Sequence, residues 1–188
     1  MTGNIVLCGF MGCGKSSVGK ELSALLGCKL TDLDSYIEAT QGQSIPDIFR
    51  TQGENAFRQM ERVALKELLC DNGTNGEKGQ DITILSLGGG TLTTPECASL
   101  IRQHTECIYL RASTDTLASN LENDFNNRPM LSQSSDSPYD KYTLRAKIEK
   151  LMRIRSTIYE SAAHRIIDID GKSFREIAEE IAGCLKED

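Results

Sequence analysis

A chain of 188 residues with 39% hydrophobic and 26% charged residues has the length and composition of one globular domain. Its net charge of -6 argues against a general role on nucleic acid or at an anionic membrane surface. Seven cysteines, an odd number without a Cys-x-x-Cys pair, argue against a disulfide scaffold and predict a reduced, cytoplasmic protein. No apolar run approaches the roughly 18 residues of a membrane span, and the first strand begins too early to leave room for a signal peptide.

The stretch from Asn4 to Cys8 is apolar and rich in β-branched residues, which predicts a buried strand. It runs into Gly9-Phe10-Met11-Gly12-Cys13-Gly14-Lys15-Ser16, a match to the phosphate-binding loop pattern. Val18, Leu22, Leu25 and Leu26 then fall on one helical face, with Gly27 placed to end the helix. Strand, loop and helix in this order aim backbone N–H groups and the positive end of the helix dipole at an anion. Gly12, Cys13, Gly14, Lys15, Ser16 and Ser17 are therefore the nucleotide-binding candidates. Lys15 is placed to reach the β- and γ-phosphates and the Ser16 hydroxyl to ligate Mg²⁺. A dinucleotide fingerprint does not fit, because Ser17 stands where that motif takes its third glycine and a dinucleotide has no use for Lys15-Ser16. Gly171-Lys172-Ser173 is no second loop, since Ile166 stands at the leading-glycine position. A helix N-terminus near Lys15 also lowers a thiol's pKa, so Cys13 is either a reactive thiol or, the preferred reading, a small residue tolerated beside the phosphates.

The region from Cys28 to Asp32 predicts a second strand ending at the acids Asp32 and Asp34, followed by a helix from Ser35 to Thr40 stopped by Gly42. Ser44 is expected to cap a short helix carrying Ile45, Ile48 and Phe49, with Asp47 as its capping-box acid and Gly53 closing it. A long helix follows from Glu54 to Leu69, its apolar stripe being Phe57, Met60, Ala64 and Leu68, with Arg58 and Arg62 on the flank. Residues 71 to 81 carry three glycines and no large apolar residue and predict a solvated loop. Ile82 to Leu87 is a third strand entering Gly88-Gly89-Gly90, and Thr94-Pro95 opens the next helix. Cys107 to Leu110 is a fourth strand, and Ser113 caps the helix carrying Leu117 and Leu121. A serine-rich lid is expected at about 122 to 140, surrounding Arg128-Pro129. A helix from about Asp140 to Ala163, the strand Ile166 to Ile169 and a closing helix from Ser173 complete a βα rhythm that predicts a parallel sheet in a single domain over 1–188.

Three features point to a second substrate. Asp32 and Asp34 lie two residues apart at a strand end, where one carboxylate can face a metal and the other a substrate. A triple glycine loses more conformational entropy on folding than an ordinary turn requires, which implies that something lies close against Gly88, Gly89 and Gly90. On the long helix after the lid, Arg155 falls in the middle of the stripe Leu144, Ile148, Leu151, Ile158 and Ala162, where it must find an anion or snorkel to water. Arg153 lies on the opposite, solvated face.

These residues resemble the shikimate kinase family, through the phosphate loop, Asp32-Leu33-Asp34, Ser44-Ile45-Pro46-Asp47-Ile48-Phe49, Gly53-Glu54, Phe57-Arg58, Glu61, Leu87-Gly88-Gly89-Gly90, Arg128-Pro129 and Arg155. The resemblance covers nearly the whole chain. It implies a three-layer α/β/α fold of the P-loop NTPase type with a five-stranded parallel sheet, a substrate-binding helical segment at about 34–70 and a mobile lid. It implies transfer of the ATP γ-phosphoryl group to the 3-hydroxyl of shikimate in aromatic amino-acid biosynthesis. By the same resemblance Asp34 would bind the ring hydroxyls and act as base, and Arg58 and Arg155 would hold the carboxylate. Gly88, Gly89 and Gly90 would meet the substrate, Ser16 and Asp32 would serve Mg²⁺, and Arg128 would close over ATP, with Lys15, Asp34 and Arg128 as the catalytic set. ATP and shikimate are the expected partners of a monomer that binds neither nucleic acid nor membrane. Departures from the family pattern are the glycine-rich 71 to 81 loop, the extended lid and Met130 where leucine is commoner; Lys172 is a weak candidate for the adenine side.

Gluconate kinase is the nearest rival, and the set Arg58, Gly89 and Arg155 argues against it. A GTPase switch would need an Asn-Lys-x-Asp, which the chain lacks, and its Asp-x-x-Gly at Asp168 to Gly171 lies at the wrong end. A nucleic-acid NTPase is disfavoured by the charge and the short length.

Overall fold

The computed structural model describes residues 3–70, 82–122 and 141–186. The expected loop at 71 to 81, and Arg128 with the rest of the expected lid beyond residue 122, lie outside the described residues. Five strands, β1 (Asn4–Cys8), β2 (Lys29–Asp32), β3 (Thr83–Ser86), β4 (Thr105–Arg111) and β5 (Arg165–Asp168), form one sheet in the order β2-β3-β1-β4-β5. All four pairings are parallel. The central strand β1 buries Ile5, Val6, Leu7 and Cys8 together, because helices cover both faces of a parallel sheet and leave no face for polar alternation.

The flanking helices are α1 (Lys15–Leu26), α2 (Leu33–Gln41), α3 (Ile45–Cys70), α4 (Pro95–His104), α5 (Thr114–Leu121), α6 (Lys141–Ala162) and α7 (Phe174–Lys186). The chain thus has the five-stranded, helix-flanked parallel architecture expected. α1 packs on α7, while α4 packs against α3 and α6. Gly27 and Gly42 end α1 and α2 as expected, and Ser44 and Asp47 exchange the predicted capping bonds. The short helix from Ser44 and the long one from Glu54 are one kinked element, α3, with extended rather than helical ψ at Gly53 (φ 81°, ψ 172°).

Two local expectations are corrected. Thr94 stands at the cap position of α4, but its side chain accepts no capping bond. The chain instead enters α4 through a short 3₁₀ turn at Thr91–Thr93 that backbone periodicity did not signal. In α3 the fully buried positions include Glu61 and Leu65, with Met60 and Leu68 only half-buried. An acid held inward by a partner displaces the apolar stripe, and hydrophobic spacing cannot register such a residue.

Candidate active site

Parallel strands deliver their loops to one edge of the sheet, and there the loops after β1, β2 and β3 meet. The phosphate loop leaves β1 and turns into α1 at Gly14, whose left-handed backbone (φ 85°) suits a residue without Cβ. A side chain there would also strike Phe174, 2.7 Å from the position of its first carbon. Lys15 is folded back under the loop, its Nζ donating to the carbonyl oxygens of Gly9 and Phe10 at 3.0 Å each. The Ser16 hydroxyl is exposed and donates to Asp32 Oδ2 at 2.6 Å. Asp32 uses its other oxygen to accept the Ser35 N–H at 3.1 Å, which caps α2. Asp34, the second residue of the same helix, faces the interior of the site instead, so the two acids do leave in different directions.

Two adjoining cavities occupy this edge. One, of about 400 Å³, is lined by Gly12, Gly14, Lys15, Ser16, Ser17, Asp32, Asn120 and Phe174 among others. The second, of about 260 Å³, is lined by Asp34, Glu38, Phe49, Phe57, Arg58, Glu61, Gly88, Gly89, Gly90 and Arg155 among others. Met11, Asp34 and Gly89 line both, so a group bound in one cavity can touch a group bound in the other.

The second cavity combines an aromatic wall with two cations. Phe49 and Phe57 pack with ring centres 4.9 Å apart and planes tilted by 43°. Arg58 donates from Nη2 to Glu54 at 3.0 Å and from Nη1 to the buried Glu61 carboxylate. Burial alone pulls the Arg58 guanidinium's pKa down, but Glu61 and Glu54 beside it reverse this and raise it above the ordinary value. Arg155 is 5% exposed, so it does not snorkel to water. Neutral groups meet it: Nη1 reaches the Gly89 carbonyl at 3.4 Å, and the Phe10 ring has its centre 5.8 Å from the guanidinium carbon. Among the described residues no carboxylate forms an ion pair with it. A buried guanidinium in such surroundings gains most from an incoming anion.

The triple glycine is crowded as expected. A Cβ on Gly88 would lie 2.7 Å from Asp34 Oδ1, and one on Gly90 2.5 Å from Arg58 Nη2. Only bare backbone leaves room there for both side chains and a ligand.

The side chain of Cys13 points into the core, 1% exposed, with Lys15 Nζ 3.8 Å from its sulfur, and it does not line the cavity. Its backbone N–H is committed to the Phe10 carbonyl at 3.2 Å. That corrects the alternative of an accessible reactive thiol. Lys172 is likewise turned away, paired with Glu180 at 2.6 Å. The aromatic surface on that side is Phe174, 47% exposed, which hydrophobic spacing did not single out because it stands at the start of α7. Asn120, which donates to the Gly12 carbonyl at 2.8 Å, also carried no local signal.

Residues Ser16 and Asp32 fit a hard cation, offering a hydroxyl and a carboxylate side by side. No cluster of three His, Cys, Asp or Glu that could hold a metal occurs among the described residues. An ion at this pair would therefore take its remaining ligands from phosphates and water, as Mg²⁺ commonly does.

The family model for shikimate kinase matches residues 11–186 of the chain. A shikimate kinase of Thermus thermophilus is 38% identical over 181 residues, covering 96% of this chain and 89% of its own. One from Dehalococcoides mccartyi is 39% identical over 184 residues, covering 98% and 94%. The solved structure of shikimate kinase from Acinetobacter baumannii in complex with shikimate superposes with a TM-score of 0.84 at 29% identity, covering 100% of this chain and 94% of that one.

Proposed function

The chain belongs to the shikimate kinase family, and from that premise we propose how its two joined cavities transfer the ATP γ-phosphoryl group to the 3-hydroxyl of shikimate. It is an ATP-dependent phosphotransferase with an alcohol acceptor, serving aromatic amino-acid biosynthesis. The observation that carries the acceptor assignment is Arg155, a buried guanidinium facing a small cavity with no carboxylate paired to it among the described residues. A small carboxylate with ring hydroxyls meets both that charge and the carboxylate of Asp34 across the same cavity, and the Phe49–Phe57 wall takes its carbon ring.

In this reading Arg155 and Arg58 hold the carboxylate, Gly88, Gly89 and Gly90 bring backbone against the ring, and Asp34 orients the hydroxyls at the mouth between the cavities. The triphosphate lies along Gly12, Gly14, Lys15, Ser16 and Ser17, with its γ-phosphate toward Asp34 and Gly89, while Cys13, with its N–H on the Phe10 carbonyl, only spaces the two glycines. Its nucleoside then leaves at the opposite end, between Asn120 and Phe174. The acceptor oxygen attacks phosphorus, the bond from phosphorus to the β,γ-bridging oxygen breaks, ADP leaves, and Asp34 takes the hydroxyl proton. Lys15 exchanges its two carbonyl partners for phosphate oxygens, and Arg128, outside the described residues, closes over the phosphates. Ser16 and Asp32 would hold Mg²⁺, which would neutralise charge on the β- and γ-phosphates. Positioning and electrostatics of this kind carry most of phosphoryl-transfer catalysis.

In this reading the partners are ATP and shikimate, and the enzyme acts as a monomer. No helix of the described residues is long and apolar enough to cross a membrane, and the net charge of -6 disfavours a polyanionic partner. A coupled ADP-release assay with shikimate, with gluconate and without acceptor tests the reading. Release is expected with shikimate alone, and release that needs no acceptor and ignores shikimate would overturn it in favour of a simple NTPase.

A further inference from the structure

The glycine turn between the cavities is fastened from both sides by buried hydroxyls. Tyr159, 1% exposed, donates its phenol proton to the Gly89 carbonyl at 2.5 Å. The Arg155 guanidinium, on the same α6 face one turn earlier, reaches that same carbonyl. On the other side Thr91, fully buried, places its hydroxyl 2.6 Å from Glu61 Oε1. A hydroxyl has one proton to give, and the short distance to a buried carboxylate assigns it to Glu61, while the Thr91 N–H goes to the Gly88 carbonyl at 3.3 Å. The second oxygen of Glu61 holds Arg58. Arg58 is thus tied to the turn through Glu61 and the Thr91 hydroxyl, while Arg155 shares the Gly89 carbonyl with the Tyr159 hydroxyl.

We propose that Thr91 and Tyr159 are positioning residues that clamp the Gly88–Gly90 turn and so set the spacing and aim of Arg58 and Arg155 toward the acceptor carboxylate. Two guanidinium groups grip one carboxylate well only when their N–H bonds are aimed before it arrives, because a group free to turn away loses ordering entropy on binding. The Tyr159 hydroxyl matters twice. It fixes the Gly89 backbone, and by occupying the carbonyl it leaves Arg155 a 3.4 Å contact there, weak enough to release for a carboxylate. Thr91 acts through Glu61, whose carboxylate would otherwise bury one oxygen without a donor and turn to seek one. Neither hydroxyl touches the nucleotide cavity.

The proposal rests on the shikimate kinase reading, and Thr91→Val and Tyr159→Phe test it, since each removes a hydroxyl and keeps the shape. Loss of one aimed hydrogen bond should raise the shikimate KM roughly 5- to 10-fold in each variant, leaving kcat and the ATP KM within about twofold. Thr91→Ser, which keeps the hydroxyl, should restore the wild-type KM. In the apo protein both variants should show faster amide hydrogen exchange at Gly88–Gly90, a readout that needs no substrate. A lowered melting temperature with unchanged shikimate KM and unchanged exchange would reduce both residues to core packing and overturn the clamp. A wild-type enzyme that does not phosphorylate shikimate would overturn the underlying reading instead, and the exchange experiment would still decide whether the turn is clamped.

Discussion

Ser16 donates its hydroxyl proton to Asp32 across 2.6 Å, joining the start of α1 to the end of β2 at the floor of the nucleotide cavity. If this pair serves the metal, Asp32→Asn should raise the Mg²⁺ concentration needed for half-maximal activity about 10-fold, the lower range for losing a group that supports a metal. High Mg²⁺ should recover much of the rate. A Mg²⁺ titration identical to wild type would leave Asp32 as the cap of α2 and nothing more.

Lys15→Met should lower kcat by at least about 100-fold, close to 2.7 kcal/mol of transition-state stabilisation, as for removal of one charge-stabilising donor. The structure adds a stability effect. Lys15 Nζ satisfies the carbonyls of Gly9 and Phe10, and methionine leaves both without that donor at a cost of about 1–3 kcal/mol. For a domain of this length that lowers Tm by roughly 2–4 °C per kcal/mol. Turnover within about threefold of wild type, less than 1 kcal/mol, would remove Lys15 from the transfer step.

Arg155→Ala should weaken shikimate binding about 10- to 150-fold, the loss of charge-assisted bonds worth roughly 1.5–3 kcal/mol. Lysine should recover only part of that, because an ammonium cannot form the two parallel bonds of a guanidinium. Arg155→Met should leave the apo protein as stable or more stable, since it removes a buried charge that no described carboxylate pairs with. Titration calorimetry and melting curves decide it: unchanged affinity in Arg155→Ala, or a sharp loss of apo stability in Arg155→Met, would make Arg155 a structural residue.

The site was legible in the sequence to the extent that its chemistry is local in the chain. The phosphate loop needs neighbours only along β1 and α1, and Arg155 betrays itself by interrupting an apolar stripe at helical spacing. Glu61 and Thr91 lie 30 positions apart, and the bond that gives them meaning exists only once α3 packs against the glycine turn. Tyr159 reads as one more core aromatic until its hydroxyl is seen on Gly89. For Cys13 the sequence left a reactive thiol open beside the preferred reading of a small residue tolerated in the loop. Side-chain direction in a tight loop is set by the φ angles of the flanking glycines Gly12 and Gly14, at 81° and 85°, and it points inward.

Phe174 offers a direct view of the nucleotide, because the chain contains no tryptophan. Phe174→Trp installs a single indole beside Gly14, and ADP should change its fluorescence on binding, whereas shikimate alone should not. Phe174→Ala should raise the ATP KM roughly 5- to 150-fold, the span of about 1–3 kcal/mol for stacking one base. An indole signal that ignores ADP, with an unchanged ATP KM in the alanine variant, would move the nucleobase elsewhere.

Transfer of a phosphoryl group from ATP onto the 3-hydroxyl of shikimate is read directly by correlated ¹H–³¹P NMR of the completed reaction. The expected product is a phosphate monoester whose phosphorus couples to the ring proton at carbon 3, formed in step with ADP and only when shikimate is present. Inorganic phosphate as the sole new phosphorus product, or a monoester coupled to a different ring proton, would contradict it.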